Sequence, residues 1–159
     1  MTRYDFRMNL ADKLAAMSIQ LPPVSGPFGA YVPAKRVGHL VFVAGQLPMK
    51  DGKLMALGPV PSRCTIENAR AAARQCVINA LAAVQSLPGG VDQIVGVVRV
   101  GAFVCSDIGF TEQPRVADAA SELLKEIFGD PGQHVRAAVG VNTLPRDASV
   151  EIEVVFEAR

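Results

Sequence analysis

Apolar residues recur along the chain with two periods. Leu10, Leu14 and Met17 stand at helical spacing within residues 7–20, and Leu21-Pro22-Pro23 halts that run. The pattern predicts a short N-terminal helix and a Pro/Gly-rich connector through Gly29. Across 65–87 the helical period is stronger: Ile66, Ala69, Ala73, Cys76, Val77, Ala80 and Val84 share one face, and Pro88-Gly89-Gly90 ends it. So many small residues on one face predict a helix lying close on a sheet. A further helix is predicted over 114–128, with Pro114 suited to the first turn, Val116, Ala120, Leu123, Leu124 and Ile127 turned inward, and Gly129 as the stop.

Period-two and continuous apolar runs predict strands at Ala30–Lys35, His39–Gly45, Ile94–Val104, Val135–Asn142 and Ser149–Ala158. Val37-Gly38 supplies the bend between the first two, and residues 143–148 join the final two, which read as a C-terminal hairpin. Between Lys50 and Pro61 the glycines, the prolines and the turn signal Asp51-Gly52 predict a loop with at most short strand pieces. The order β-β-α-β-α-β-β, after the extra helix, predicts an α+β two-layer sandwich: one mixed sheet with two helices on one face. Residues 1–25 then form a helical extension and connector, and 26–159 the domain. A sheet covered on one face only, with apolar residues on the other, predicts a closed ring of subunits.

Composition narrows the function classes. The 159 residues are 50% hydrophobic and 19% charged, with 16 basic against 15 acidic side chains and a formal net charge of +1. One domain is expected, and near-neutral charge gives no bulk attraction for nucleic acid or anionic lipid. No apolar run reaches the ~18–20 residues of a membrane span. Arg3, Asp5, Arg7, Asp12 and Lys13 interrupt the N-terminus, unlike the apolar centre of a signal peptide. The three cysteines, Cys64, Cys76 and Cys105, are widely spaced and distant from His39 and His134, which suits reduced thiols in a cytoplasm rather than a zinc site.

The C-terminal strands hold the candidate chemistry. Alternation puts Arg136, Ala138, Gly140 and Asn142 on one side of their strand, leaving room beside a single guanidinium. On the following strand Glu151, Glu153 and Glu157 share a side, so a carboxylate can approach the same pocket. A planar guanidinium that stays protonated suits a small carboxylate, through two parallel charge-assisted hydrogen bonds. The same arginine could equally serve an ion pair with an acidic neighbour, and a strand-edge glutamate is commonly just solvated. No spacing indicates a serine–histidine or cysteine–histidine arrangement; His39 and His134 read as structural or surface residues, and Cys105 as a small buried residue.

From Arg136 to Glu153 the sequence Arg-Ala-Ala-Val-Gly-Val-Asn-Thr-Leu-Pro-Arg-Asp-Ala-Ser-Val-Glu-Ile-Glu resembles the C-terminal signature of the RidA family, also called YjgF/YER057c/UK114: an arginine, a strand, Leu-Pro, a turn and a hydrophobic-Glu-hydrophobic-Glu strand. Gly29-Ala30-Tyr31-Val32 and Val43-Ala44-Gly45-Gln46-Leu47-Pro48 resemble the family's earlier segments in matching order, so the likeness covers about 26–159. It implies a bacillus-type chorismate-mutase-like fold, a homotrimer with clefts between subunits, and hydrolysis of reactive enamines and 2-imino acids to 2-keto acids and ammonia, with no metal or organic cofactor. By position, Arg136 would clamp the substrate carboxylate, Glu151 would position or activate water, Tyr31 would line the cleft from the adjacent subunit, and Gly45 would admit backbone close to the ligand. Where active deaminases commonly carry serine and cysteine, this chain has Ala44 and Ala138. The loop 129–135 is longer than in those members and the N-terminal helix is extra. Two further readings follow: a non-catalytic binding protein for small carboxylate metabolites, favoured by Ala44 and Ala138, and an endoribonuclease, disfavoured by the charge balance and just two tyrosines.

Overall fold

A computed structural model describes residues 8–24 and 29–159. The junction drawn between residues 25 and 26 lies outside the described residues. In chain order the elements are α1 (Leu10–Ala16), β1 (Ala34–Val37), β2 (Leu40–Gln46), β3 (Met49–Lys50), β4 (Lys53–Leu54), α2 (Ile66–Val84), β5 (Ile94–Cys105), α3 (Gln113–Phe128), β6 (Val135–Val141) and β7 (Val150–Ala158). The predicted order of large elements therefore stands. The first strand starts at Ala34 rather than Ala30, after Pro33, and β3 and β4 form a small ribbon turned by Asp51-Gly52.

Local chemistry explains the element ends. Asn9 caps α1 by accepting from the Asp12 N–H at 2.8 Å, and Thr65 caps α2 by accepting from the Asn68 N–H at 3.1 Å. Pro114 lies in the first turn of α3, and Gly129, at φ 68°, stops that helix with a backbone few side chains tolerate.

The sheet order β1-β2-β7-β5-β6 corrects one expectation. β6 and β7 do not form a hairpin: β7 runs antiparallel between β2 and β5, while β6 lies parallel to β5 at the edge. A parallel pair needs a crossover, and α3 supplies it between β5 and β6. A six-residue link between two apolar strands resembles a hairpin in one dimension, but β7 satisfies backbone groups on both its edges by entering the middle of the sheet.

One layer of helices covers one face, α2 over β2 and β7 and α3 over β5 and β6. Val41, Val43, Val100, Ala102, Val104, Ile152, Val154 and Phe156 point into that layer, and each is at most 5% exposed. The opposite face carries Val37, Leu40, Phe42, Val135 and Val139, all exposed, with the Arg99–Glu153 ion pair at 2.9 Å among them. Among the described residues no helix is long and apolar enough to cross a membrane.

The N-terminal helix is seated on the domain. Leu14 is 2% exposed, Leu10 and Met17 pack against the core, and the Ala11 N–H donates to Asp92 at 3.0 Å. Truncating Leu14 to alanine should therefore cost about 2–5 kcal/mol, as leucine deletions in packed cores do. Urea unfolding measures it, and an unshifted midpoint would show that α1 is detached in solution.

Candidate functional site

Register decides which predicted site residues meet. Arg136 is paired with Val100, and Val100 points into the helix layer, so Arg136 does too. Glu151 and Glu153 are paired with Phe103 and Gly101, one position out of phase, and so lie on the uncovered face. The expectation that Arg136 and Glu151 approach one pocket within a chain is therefore overturned. Their strands are separated by β5 and their side chains leave opposite faces of the sheet.

Glu151 anchors the larger cavity, about 660 Å³, whose wall includes Tyr31, Ala44, Gly45, Leu47, Arg146 and Glu151. Of the six residues that the sequence places at a site, Tyr31, Ala44, Gly45 and Glu151 line this cavity of a single chain and Arg136 and Ala138 do not, whereas the expectation puts Tyr31 on the adjacent subunit. A β-bulge in β2 between Val43 and Gln46 turns this corner. Gly45 leaves the Glu151 carboxylate its place, because a Cβ on it would fall 2.1 Å from Glu151 Oε1 and displace that side chain. The opposite rim rests on two buried polar side chains of α2: Gln75 donates to Asn79 Oδ1 at 2.9 Å, and Asn79 Nδ2 donates to the carbonyls of Leu47 at 3.0 Å and Met49 at 2.9 Å. Pro22, Pro23 and Val24, from the segment after α1, close another side. Burial, and secondarily the neighbouring Glu153 carboxylate, raise the Glu151 carboxyl above its ordinary value.

Arg136 opens on a second cavity, of about 430 Å³, lined by Ser121, Lys125, Gly132, Gln133, His134 and Arg136. Its Nη1 donates to Asp118 Oδ1 at 2.9 Å and to Ser121 Oγ at 3.1 Å. Of the two readings left open for this arginine, the structure shows the ion pair with an acidic neighbour, Asp118. Ala138 follows on the same face and packs partly against the core.

His134, read from the sequence as a structural or surface residue, has its Nε2 2.9 Å from Ser121 Oγ and its Nδ1 2.7 Å from the Gly132 carbonyl. Asp118, Ser121 and Lys125 follow a helical i, i+3, i+7 pattern on α3, the one sequence signal that could have placed them beside the arginine. His39 has its Nδ1 3.1 Å from the Ala158 carbonyl. The Cys105 thiol is buried, and desolvation, followed by Asp147 and Asp107, raises it above its ordinary value, which disfavours the thiolate. Among the described residues no three His, Cys, Asp or Glu side chains cluster so as to hold a metal ion.

Comparison with known proteins places this geometry. Residues 11–157 match the family model described as "YjgF/chorismate_mutase-like, putative endoribonuclease". Protein TCP17 of Trypanosoma cruzi is 36% identical over 149 residues, 93% of each chain. A 2-iminobutanoate/2-iminopropanoate deaminase of Dermatophagoides farinae is 32% identical over 136 residues, 85% of this chain and 91% of that one. Among solved structures, Atu1372 of Agrobacterium tumefaciens superposes with a TM-score of 0.85 at 37% identity, covering 94% of this chain and 93% of its own.

The raised Glu151 carboxyl has a defined pH signature. Below the unfolded carboxylate value both states are protonated and nothing is lost. As pH rises toward the folded value the unfolded chain releases its proton first, so stability falls through that window and stays lower above it. Glu151→Gln removes the penalty. Its urea midpoint should rise relative to the parent between pH 4 and pH 7, and a constant difference would mean that the carboxyl is freely solvated.

Proposed function

This chain belongs to the YjgF/chorismate mutase-like family, and on that premise we propose that it hydrolyses small 2-imino acids and their enamine tautomers to 2-keto acids and ammonia. The observation that carries the reading is the convergence of Tyr31, Ala44, Gly45 and Glu151 on one cavity, with the Arg136 cavity opening beside the sheet edge formed by β6. The activity named for the Dermatophagoides farinae relative supports it.

The two half-sites fit the expectation of a homotrimer whose clefts form between neighbours. Arg136 of one subunit would take the substrate carboxylate, exchanging part of its bond to Asp118 for two charge-assisted hydrogen bonds. Tyr31 and Glu151 of the adjacent subunit would close the other wall, and Gly45 would let backbone reach the ligand. The exposed apolar face of the sheet, Leu40, Phe42, Val135 and Val139, is the surface such a ring would cover.

Water adds to the imine carbon as the nitrogen takes up a proton; the carbon–nitrogen bond of the carbinolamine then breaks, ammonia leaves and the carbonyl forms. Glu151, with its carboxyl raised, is suited to accept a proton from the attacking water and return it to nitrogen. The imine is labile, so orientation and one proton-handling group suffice, and neither metal nor organic cofactor is called for.

Coupling an amino-acid oxidase or a dehydratase to a semicarbazide trap measures imine loss directly. The protein should accelerate that loss. Arg136→Ala should lower kcat/KM by about 10–100-fold, the worth of charged hydrogen bonds, and Glu151→Gln should lower kcat by roughly 10²-fold or more. Light scattering should give three times the 16.8 kDa chain mass. Absence of acceleration across several amino acids would end the hydrolase reading. Ala44 and Ala138, which leave the anchor but remove polar groups, favour a second reading: saturable calorimetric binding of 2-keto acids without turnover would make the cleft a binding site.

A further inference from the structure

Three contacts around the Arg136 cavity tie together Ser121 and His134, two side chains that imine hydrolysis does not use. The Gly132 carbonyl is only an acceptor, so His134 Nδ1, 2.7 Å away, carries a hydrogen. In the neutral ring Nε2 is then a bare acceptor. Ser121 Oγ, 2.9 Å from it, donates its hydroxyl hydrogen there and accepts from Arg136 Nη1 at 3.1 Å. A hydroxyl next to an imidazole, whose other nitrogen is locked by a fixed oxygen, is the arrangement of an activated serine nucleophile with its base. Here a backbone carbonyl takes the orienting role.

The locking oxygen is itself fixed. Gly132 lies so close to the end of α3 that a Cβ on it would stand 2.6 Å from the Leu124 carbonyl. Its N–H donates to the Gly129 carbonyl at 2.9 Å. The short turn after α3 thus sets the ring of His134 against a serine on the same helix, and both side chains face an open cavity of about 430 Å³. Lys125, one turn beyond Ser121, and Arg136, whose charge is shared with Asp118 at 2.9 Å, line that cavity.

We propose that Ser121 and His134 are a nucleophile–base pair that cleaves small esters bearing a free carboxylate. Ser121 Oγ bonds to the ester carbon as its proton passes to His134 Nε2. The carbon–oxygen bond to the leaving alcohol breaks, and Nε2 gives the alcohol its proton. Water, deprotonated by Nε2, then attacks the acyl-serine, the acid departs and Oγ recovers its hydrogen. Ester and water become acid and alcohol with no redox partner. Lys125 and Arg136 hold the distant carboxylate and offset charge on the carbonyl oxygen. This activity stands apart from imine hydrolysis, because it forms a covalent serine adduct and needs no Glu151.

The test uses the full chain with two probes. An alkyl fluorophosphonate should label Ser121, located by peptide mass spectrometry. The mono-p-nitrophenyl ester of glutaric acid should release nitrophenolate at least ~10-fold faster than p-nitrophenyl acetate, which lacks the carboxylate. Ser121→Ala and His134→Gln should each lose labelling and about 10²-fold or more of the ester rate. In Ser121→Cys, iodoacetamide should alkylate the introduced thiol ahead of the buried Cys64, Cys76 and Cys105. Labelling at any other residue, an ester rate unchanged in Ser121→Ala, or an introduced thiol no faster than the buried ones would overturn the proposal whether or not imines are hydrolysed.

Discussion

The pairing of Val100 with Arg136 on one edge of β5, and of Phe103 with Glu151 on the other, is the constraint from which the functional geometry follows. Side chains alternate along a strand, and a shift of one residue would exchange the faces. Val100, Ala102 and Val104 hold the phase by being completely buried beneath the helices. With that phase fixed, Arg136 must turn toward α3 and Glu151 away from it. A cation and a carboxylate close in sequence thereby belong to different cavities. A cleft using both has to borrow one from a second copy, and the same constraint delivers Arg136 to Ser121 and His134.

Most of the architecture is legible in the chain because its signals are redundant. The helix over 66–84 buries Ala69, Ala73, Cys76, Val77, Ala80 and Val84 at the spacing the sequence shows, with a capping Thr65 and a Pro-Gly-Gly stop; the sheet strands are β-branched and bounded by turn residues. Strand order is different in kind. Nothing local states that residues 150–158 enter between β2 and β5, since the choice is made by hydrogen-bonding edges that come from distant segments. The hairpin expectation erred there, and with it the meeting of Arg136 and Glu151.

Site residues follow the same division. Tyr31, Ala44, Gly45 and Glu151 stand in segments that carry a motif likeness, and they line one cavity of a single chain. Ser121 and His134 carry no motif, lie in an α-helix and beyond its stop, and meet only because Gly132 permits a turn tight against α3. A half-exposed serine on a helix looks like solvent decoration until the turn that brings histidine to it is known. Asn79 and Gln75 are comparable: polar positions in an apolar helix, explained once the carbonyls of Leu47 and Met49 are seen to need donors.

The central place of β7 also bears on how the molecule is made. β2 waits for a partner more than a hundred residues downstream, Val43 pairing with Val154. During synthesis the early strands, the apolar side of α2 and the edge of β5 all emerge before the segment that joins them. Contacts so distant in sequence slow folding and leave strand edges open to other chains in the interval. The edges of β2 and β5 that β7 joins therefore stay open to wrong pairing until residues 150–158 are available.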